Sequence, residues 1–249
     1  MLLTFCSFAA ASIAPVSHAY QRAPEPGMRK LGKPQAVIFD ADGTLLDSLP
    51  PHVDFCHAMN AELGLGLTLP ARTDVTACRQ IASAPMDNFF RSAGFPEATI
   101  ACCVEAYETR FAAECPVVPF AGIDDLIALL AQSVPCAIVS SNTAANVRAG
   151  LGSELSARFA FIDGIDNAPA DKQVAITAAL GRLGFAPSAV AYVGDTRKDC
   201  VKATGAGVRF IGVDFGFEAL ARDRSAVRGA PVAESVSELE AILLGMVLS

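Results

Sequence analysis

No two of the eight cysteines (Cys6, Cys56, Cys78, Cys102, Cys103, Cys115, Cys136 and Cys200) stand in a C-x-x-C pair, which removes the ordinary zinc spacing. A chain of 249 residues is also far too long to need stapling as a disulfide miniprotein, so the thiols are expected to be small buried hydrophobes in a reducing compartment. Positive charge is in short supply: 19 Lys and Arg face 26 Asp and Glu, a net charge of −7. That argues against a broad basic surface for nucleic acid, so an anionic ligand must be held by a few local cations and backbone amides. Beyond the first twenty residues no uninterrupted apolar run approaches membrane-spanning length, although 52% of the residues are hydrophobic. Internal repeats and low-complexity blocks are lacking as well. What remains is a chain long enough for one large or two modest domains around a proper core.

That core is organised around residues 36–48, A-V-I-F-D-A-D-G-T-L-L-D-S. Four apolar residues run into Asp40 and Asp42 and then into the Gly43-Thr44 turn. A short apolar run stopped by turn residues indicates a buried parallel strand, and ligands of open α/β sheets bind outside the carboxyl ends of such strands. Two neighbouring acids repel unless a cation or a proton lies between them. Side chains alternate along an extended segment, so Asp40 and Asp42 can share a face while Ala41 offers its N–H to a ligand.

From Pro50 to about Val118 the pattern is helical only. Val53, Phe55, Cys56, Met59 and Leu63 mark a first face. A second helix is expected over 73–81, a third from Pro85 to Gly94, and a fourth over 97–114 with Cys103, Tyr107 and Phe111 on one stripe. Strand-to-helix links take only a few residues, so this stretch is an inserted helical bundle. The remainder alternates: helix 123–131, strand 136–139 ending in Ser140-Ser141-Asn142-Thr143, helix 144–151, strand 159–162, helix 171–183, strand 190–193 ending in Gly194-Asp195-Thr196-Arg197-Lys198-Asp199, strand 208–213, a loop region, and helix 236–244. Strand alternating with helix means a doubly wound, Rossmann-like parallel sheet covered on both faces. The expected division is a tail or leader over 1–33, an α/β core over 34–49 and 119–249, and a helical cap over 50–118.

Such a sheet collects Asp40, Asp42, Ser140 and Asp195 at one edge, with Lys172 at the start of a helix leading from it. This is the composition of a phosphate site with a metal. Asp40, Asp195 and the backbone carbonyl of Asp42 would hold the ion, and oxygen-only ligands beside a phosphate favour Mg²⁺ over zinc. Ser140 and Lys172 would cradle the phosphate oxygens, and the amides of Ala41, Asp42 and Ser141 would add donors. Asn142 either orients this loop or serves as a turn residue. His52 could reach the pocket, although solvation at a helix start is the plainer expectation. Arg79, Arg91 and Arg110 are cap residues of which one could grip a substrate carboxylate.

The segments D-A-D-G-T-L-L-D-S, V-S-S-N, the lysine of A-D-K-Q, and G-D-T-R-K-D resemble, in order and spacing, the four motifs of the haloacid dehalogenase superfamily. The helical insert is similar to that family's first type of cap, and the resemblance spans about 36–244. S-S-N-T-A-A-N-V and G-V-D-F-G-F look most like its phosphoglycolate phosphatase group. The resemblance implies a Mg²⁺-dependent phosphatase acting on a small phosphorylated metabolite such as 2-phosphoglycolate. Asp40 would be the nucleophile and Asp42 the general acid/base. Asp199 would order Lys172 or a metal-bound water, with Gly43 and Thr44 supporting. A phosphomutase of the same build would use the same motifs, and a non-catalytic binding protein would usually lose one of the acids, all of which are present here. Oligomeric state is not legible.

The N-terminus gives two readings. Residues 1–21 carry no formal charge, hold an apolar stretch over 2–16, and end in Ser17-His18-Ala19, which fits a small-x-small signal cleavage site without the usual basic start. The basic segment that follows, with Arg22, Arg29, Lys30 and Lys33, resembles the two-part leader of proteins imported into complex algal plastids, giving a plastid or exported protein. The other reading is a disordered tail upstream of a start at Met28, giving a cytoplasmic one.

Overall fold

The computed structural model describes residues 33–83, 85–169 and 171–248; the leader reading falls on residues outside these. Six strands form one parallel sheet in the order β3-β2-β1-β4-β5-β6. They are β1 (Ala36–Phe39), β2 (Cys136–Val139), β3 (Ile162–Asp163), β4 (Val190–Gly194), β5 (Arg209–Val213) and β6 (Val232–Ala233). The central strands β1 and β2 are buried at every position, which explains why they read as continuous apolar runs without alternation.

Alternate residues of these strands feed two cores. Val37 and Phe39 pack with α5 (Ile123–Leu130), α6 (Ala144–Ser156) and α9 (Val236–Leu248). Ala36 and Ile38 pack on the opposite face with α7 (Lys172–Leu183) and α8 (Arg197–Gly205). The chain winds from β1 outward through β2 to β3, then crosses to β4 on the other side of β1. The switch point therefore lies between β1 and β4, where doubly wound sheets open a crevice at the strands' carboxyl ends.

Between β1 and α5 the chain builds α1 (Leu49–Glu62), α2 (Val75–Ile81), α3 (Met86–Ser92) and α4 (Glu97–Glu114). These helices hold a third core, in which Phe55, Phe89, Phe90 and Phe111 are almost fully buried. The stripe Cys103, Tyr107 and Phe111 faces inward as its spacing predicts. Chain entry and exit run side by side: the Asp47 amide donates to the Val118 carbonyl at 2.9 Å and the Phe120 amide to that of Leu45 at 3.0 Å. Among the described residues no helix is long and apolar enough to cross a membrane.

Several elements differ from the sequence expectation. The strand expected over 159–162 is Ile162–Asp163, because Phe159 turns inward to pack edge-on against Phe39, their centroids 6.3 Å apart. The loop expected after β5 contains β6, two residues paired with Gly212 and Val213. Helix α6 runs past 151 to Ser156, with a break at Gly152 (φ +74°). Six of the described cysteines are buried or half-buried and only Cys102 is exposed, in keeping with their reading as small hydrophobes.

Candidate active site

At the end of β1, Asp40 is buried and its two oxygens are separately occupied. Oδ1 accepts the Ala41 amide at 2.8 Å, and Oδ2 lies 2.9 Å from Lys172 Nζ. The first contact corrects the expectation that the Ala41 amide faces a ligand: it is used by the neighbouring carboxylate. Lys172 opens α7, whose N-cap Asp171 accepts from the Gln173 and Val174 amides. Its ammonium also lies 2.6 Å from Asp199 Oδ1, so Asp199 orders the lysine. Asp199 closes a capping box at the start of α8, accepting from the Thr196 amide while the Thr196 hydroxyl accepts from the Asp199 amide.

Asp195, at the end of β4, is 1% exposed. Its Oδ2 accepts the Phe217 amide at 2.6 Å, and Thr44 Oγ1 stands 3.5 Å from its Oδ1. Gly43 and Gly216 make this approach possible. A Cβ at Gly43, whose φ is +74°, would stand 2.2 Å from Asp195 Oδ2, and one at Gly216 would stand 2.4 Å from the same atom.

Ligand oxygens of Asp40, Asp195 and Asp199 all lie within 4.8 Å of one another. Burial pushes the Asp40 carboxyl up to about 7 against the opposing pull of Lys172. Asp195 is driven well above the carboxylate range by burial and by the charges of Asp199 and Asp40. Burial alone would lower the Lys172 ammonium, but Asp199 and Asp40 together hold it well above its ordinary value. One ammonium cannot neutralise three buried carboxylates, so they hold protons more tightly, and a hard divalent cation is the group that could take the place of those protons.

The Asp42 side chain is turned away from this cluster. Its Oδ2 accepts Asn142 Nδ2 at 2.9 Å. The Asn142 amide is fixed from behind, its Oδ1 accepting from the Thr143 amide at 2.8 Å and from Asn146 Nδ2 at 3.1 Å. Asn142 is thus an orienting residue and not merely a turn former. The Asn142 backbone N–H donates to Ser140 Oγ at 3.0 Å, leaving the buried Ser140 hydroxyl hydrogen to donate elsewhere. Ser141 is half-buried on the same wall.

The cap reaches Asp42 through this asparagine. Asn142 Nδ2 also donates to Tyr107 Oη at 3.2 Å, and Tyr107 Oη lies 3.0 Å from His52 Nε2. His52 is therefore not a solvated helix-start residue. It is 3% exposed, stacked at 4.8 Å on Phe111 and met edge-on by Phe217, and burial lowers its proton affinity although Asp42 opposes the shift. The cap arginines do not enter the cavity. Arg79 donates to the carbonyls of Gly216 (2.9 Å) and Asp214 (2.6 Å). Arg91 pairs with Asp87 and Glu97, and Arg110 with Glu62 and Glu114. Sequence reasoning missed Tyr107 and Phe217 as site residues. The histidine in a helical pattern with an aromatic stripe was the only local signal for the first, and the second touches Asp195 only through the loop after β5.

Core and cap enclose a cavity of about 300 Å³ with Asp40, Asp42, Ser140, Asn142, Lys172 and Asp195 at its floor. The sequence profile of the haloacid dehalogenase-like hydrolases matches residues 37–213, and the chain belongs to that family. It is 32% identical over 186 residues to a phosphoglycolate phosphatase of Synechococcus elongatus, covering 74% of this chain and 85% of the relative. It is 31% identical over 194 residues to an N-acetylmuramic acid 6-phosphate phosphatase of Pseudomonas putida, covering 74% and 84%. The fold is similar to that of a haloacid dehalogenase-like hydrolase from Streptococcus pneumoniae, with a TM-score of 0.68 and 23% identity over 84% of this chain and 97% of that one.

Proposed function

We propose that the chain is a Mg²⁺-dependent phosphatase that hydrolyses a small phosphomonoester through an aspartyl-phosphate on Asp40. The observation that carries this reading is the convergence on one cavity of a lysine-paired carboxylate, Asp40, two further buried acids, Asp195 and Asp199, and a fourth, separately held acid, Asp42. Oxygen donors alone suit Mg²⁺. Asp40, Asp195 and the backbone carbonyl of Asp42 would hold the ion with Asp199 beside them, and the ion would draw charge from the phosphoryl oxygens.

Asp40 attacks phosphorus as the ester P–O bond breaks, and Asp42 gives its proton to the departing alkoxide. Asp42 then takes a proton from water, whose oxygen displaces Asp40 to release inorganic phosphate. Asn142 fixes the Asp42 carboxylate for both transfers. Lys172 and the Ser140 hydroxyl stabilise the transferring phosphoryl oxygens.

The test is Asp40→Asn. Turnover of p-nitrophenyl phosphate with Mg²⁺ is expected to vanish while the thermal transition is retained, and an equally active variant overturns the nucleophile. Wild-type turnover that needs an added sugar bisphosphate, returning phosphate to a sugar instead of to water, would favour the phosphomutase alternative.

A further inference from the structure

Resting on the phosphatase reading, we infer that the leaving group is a neutral polyhydroxylated alcohol of monosaccharide size and not a short carboxylate such as glycolate. The apolar part of the cavity's cap side is Ala82, Pro85, Met86, Phe89 and Val104, joined by Phe217 from the loop after β5, with the hydroxyls of Ser83 and Tyr107 as its neutral polar groups. Among the described cap residues lining it there is no lysine or arginine, and the one histidine, His52, is held neutral by burial. The charged cap residues at this wall are both acids, Asp87 and Glu108, and Glu218 adds a third from the core. The two lysines that line the cavity belong to the core: Lys172, already bound to Asp40 and Asp199, and Lys198 in the first turn of α8.

A substrate carboxylate entering such a wall gives up water and meets the like charge of Asp87 and Glu108 with no cap cation to pair with, which disfavours it. Hydroxyl groups fare better there. They donate to carboxylates, and Asp87 Oδ1 is a buried acceptor with no hydrogen-bond partner among the described residues, its Oδ2 being taken by Arg91. The C–H face of a sugar ring would rest on Met86 and Phe89. Ligand pockets for molecules of substantial size begin at ~300 Å³, the volume found here, which a phosphate on a two-carbon acid leaves largely unfilled.

The experiment compares kcat/KM for glucose 6-phosphate and 2-phosphoglycolate under Mg²⁺, with p-nitrophenyl phosphate as the general phosphatase probe, in the wild type and in Glu108→Lys and Met86→Trp. The expectation is a preference for the sugar phosphate of about tenfold or more. Glu108→Lys should shift the ratio toward 2-phosphoglycolate by about tenfold. Met86→Trp, which fills the cavity, should lower kcat/KM for the sugar phosphate more than for 2-phosphoglycolate. Hydrolysis in which 2-phosphoglycolate equals or exceeds the sugar phosphate overturns the inference and leaves the phosphatase reading intact. Failure to hydrolyse even p-nitrophenyl phosphate overturns the phosphatase reading and the inference together.

Discussion

Lys172 is the residue on which the site's charge balance turns, since its ammonium meets both Asp40 and Asp199 with only 12% of the side chain exposed. Replacing it by methionine leaves two buried carboxylates facing each other without a partner. Breaking such a pair costs about 3–5 kcal/mol, so Lys172→Met in chelator is expected to lose about that much in a urea titration and to lose turnover as well; an unchanged midpoint would mean the pair contributes nothing. Asn142→Ala tests a different role. It frees Asp42 and uncouples Tyr107 without touching Asp40, so kcat should fall by roughly 10²-fold, within the range for general acid/base catalysis, with the Mg²⁺ midpoint little changed. Asp40, Asp42 and Asp195 were legible in the sequence because they follow apolar strands, and strand ends of a parallel sheet share an edge; Asp199, inside the first turn of α8, was legible only through the family resemblance. The roles of His52 and Tyr107 were not, because they depend on how α1 and α4 fold back over the core, and no local spacing encodes that contact.

Helix α2 shows how an element of the cap is fastened to the core. Its Arg79 reaches two backbone carbonyls of the loop after β5, at Asp214 and Gly216, and the next residue, Phe217, supplies the amide that Asp195 accepts. Cap position and the acid at the end of β4 are therefore joined through one short loop. Hydrogen bonds from a charged donor are worth ~1.5–3 kcal/mol each when well shielded, and Arg79 is only half-buried, so the low end applies. Arg79→Ala is expected to lower kcat/KM about tenfold, mostly through KM, and to speed amide exchange in α2 while β1 and β4 stay protected. Exchange that rises equally throughout would point to global destabilisation instead. At this scale the long, strongly patterned elements were legible and the short ones were not. Strand β6 is two residues bonded to a neighbour 20 positions away in register, too short for any period to show. The Gly152 break hides inside α6 because apolar residues resume their spacing at Leu155.

The molecule as a whole stakes stability on its site. Three acids packed at the switch point are a cost that the two sheet cores and the cap core must carry, and one that a bound cation would offset. The sign follows from Asp40. Its folded pKa of about 7 lies above the ordinary value of 3.8, so between those values the folded chain holds a proton that the unfolded chain has released. Its contribution to stability is thus fully present below the unfolded pKa and is lost as pH rises toward 7; Asp195, raised by the same burial, acts in the same direction. Lys172 stays charged throughout this window and does not reverse the trend. A metal must displace the retained protons, so Mg²⁺ affinity should increase as pH rises through about 7. In chelator the thermal midpoint is therefore expected to fall from pH 5.5 to pH 8. Saturating Mg²⁺ should restore it most at the higher pH, by about 2.7 kcal/mol when the ion is at a hundred times its dissociation constant. Calorimetry at the two pH values checks both halves, and a Mg²⁺ gain that is the same at pH 5.5 and pH 8 would separate these carboxylates from the ion.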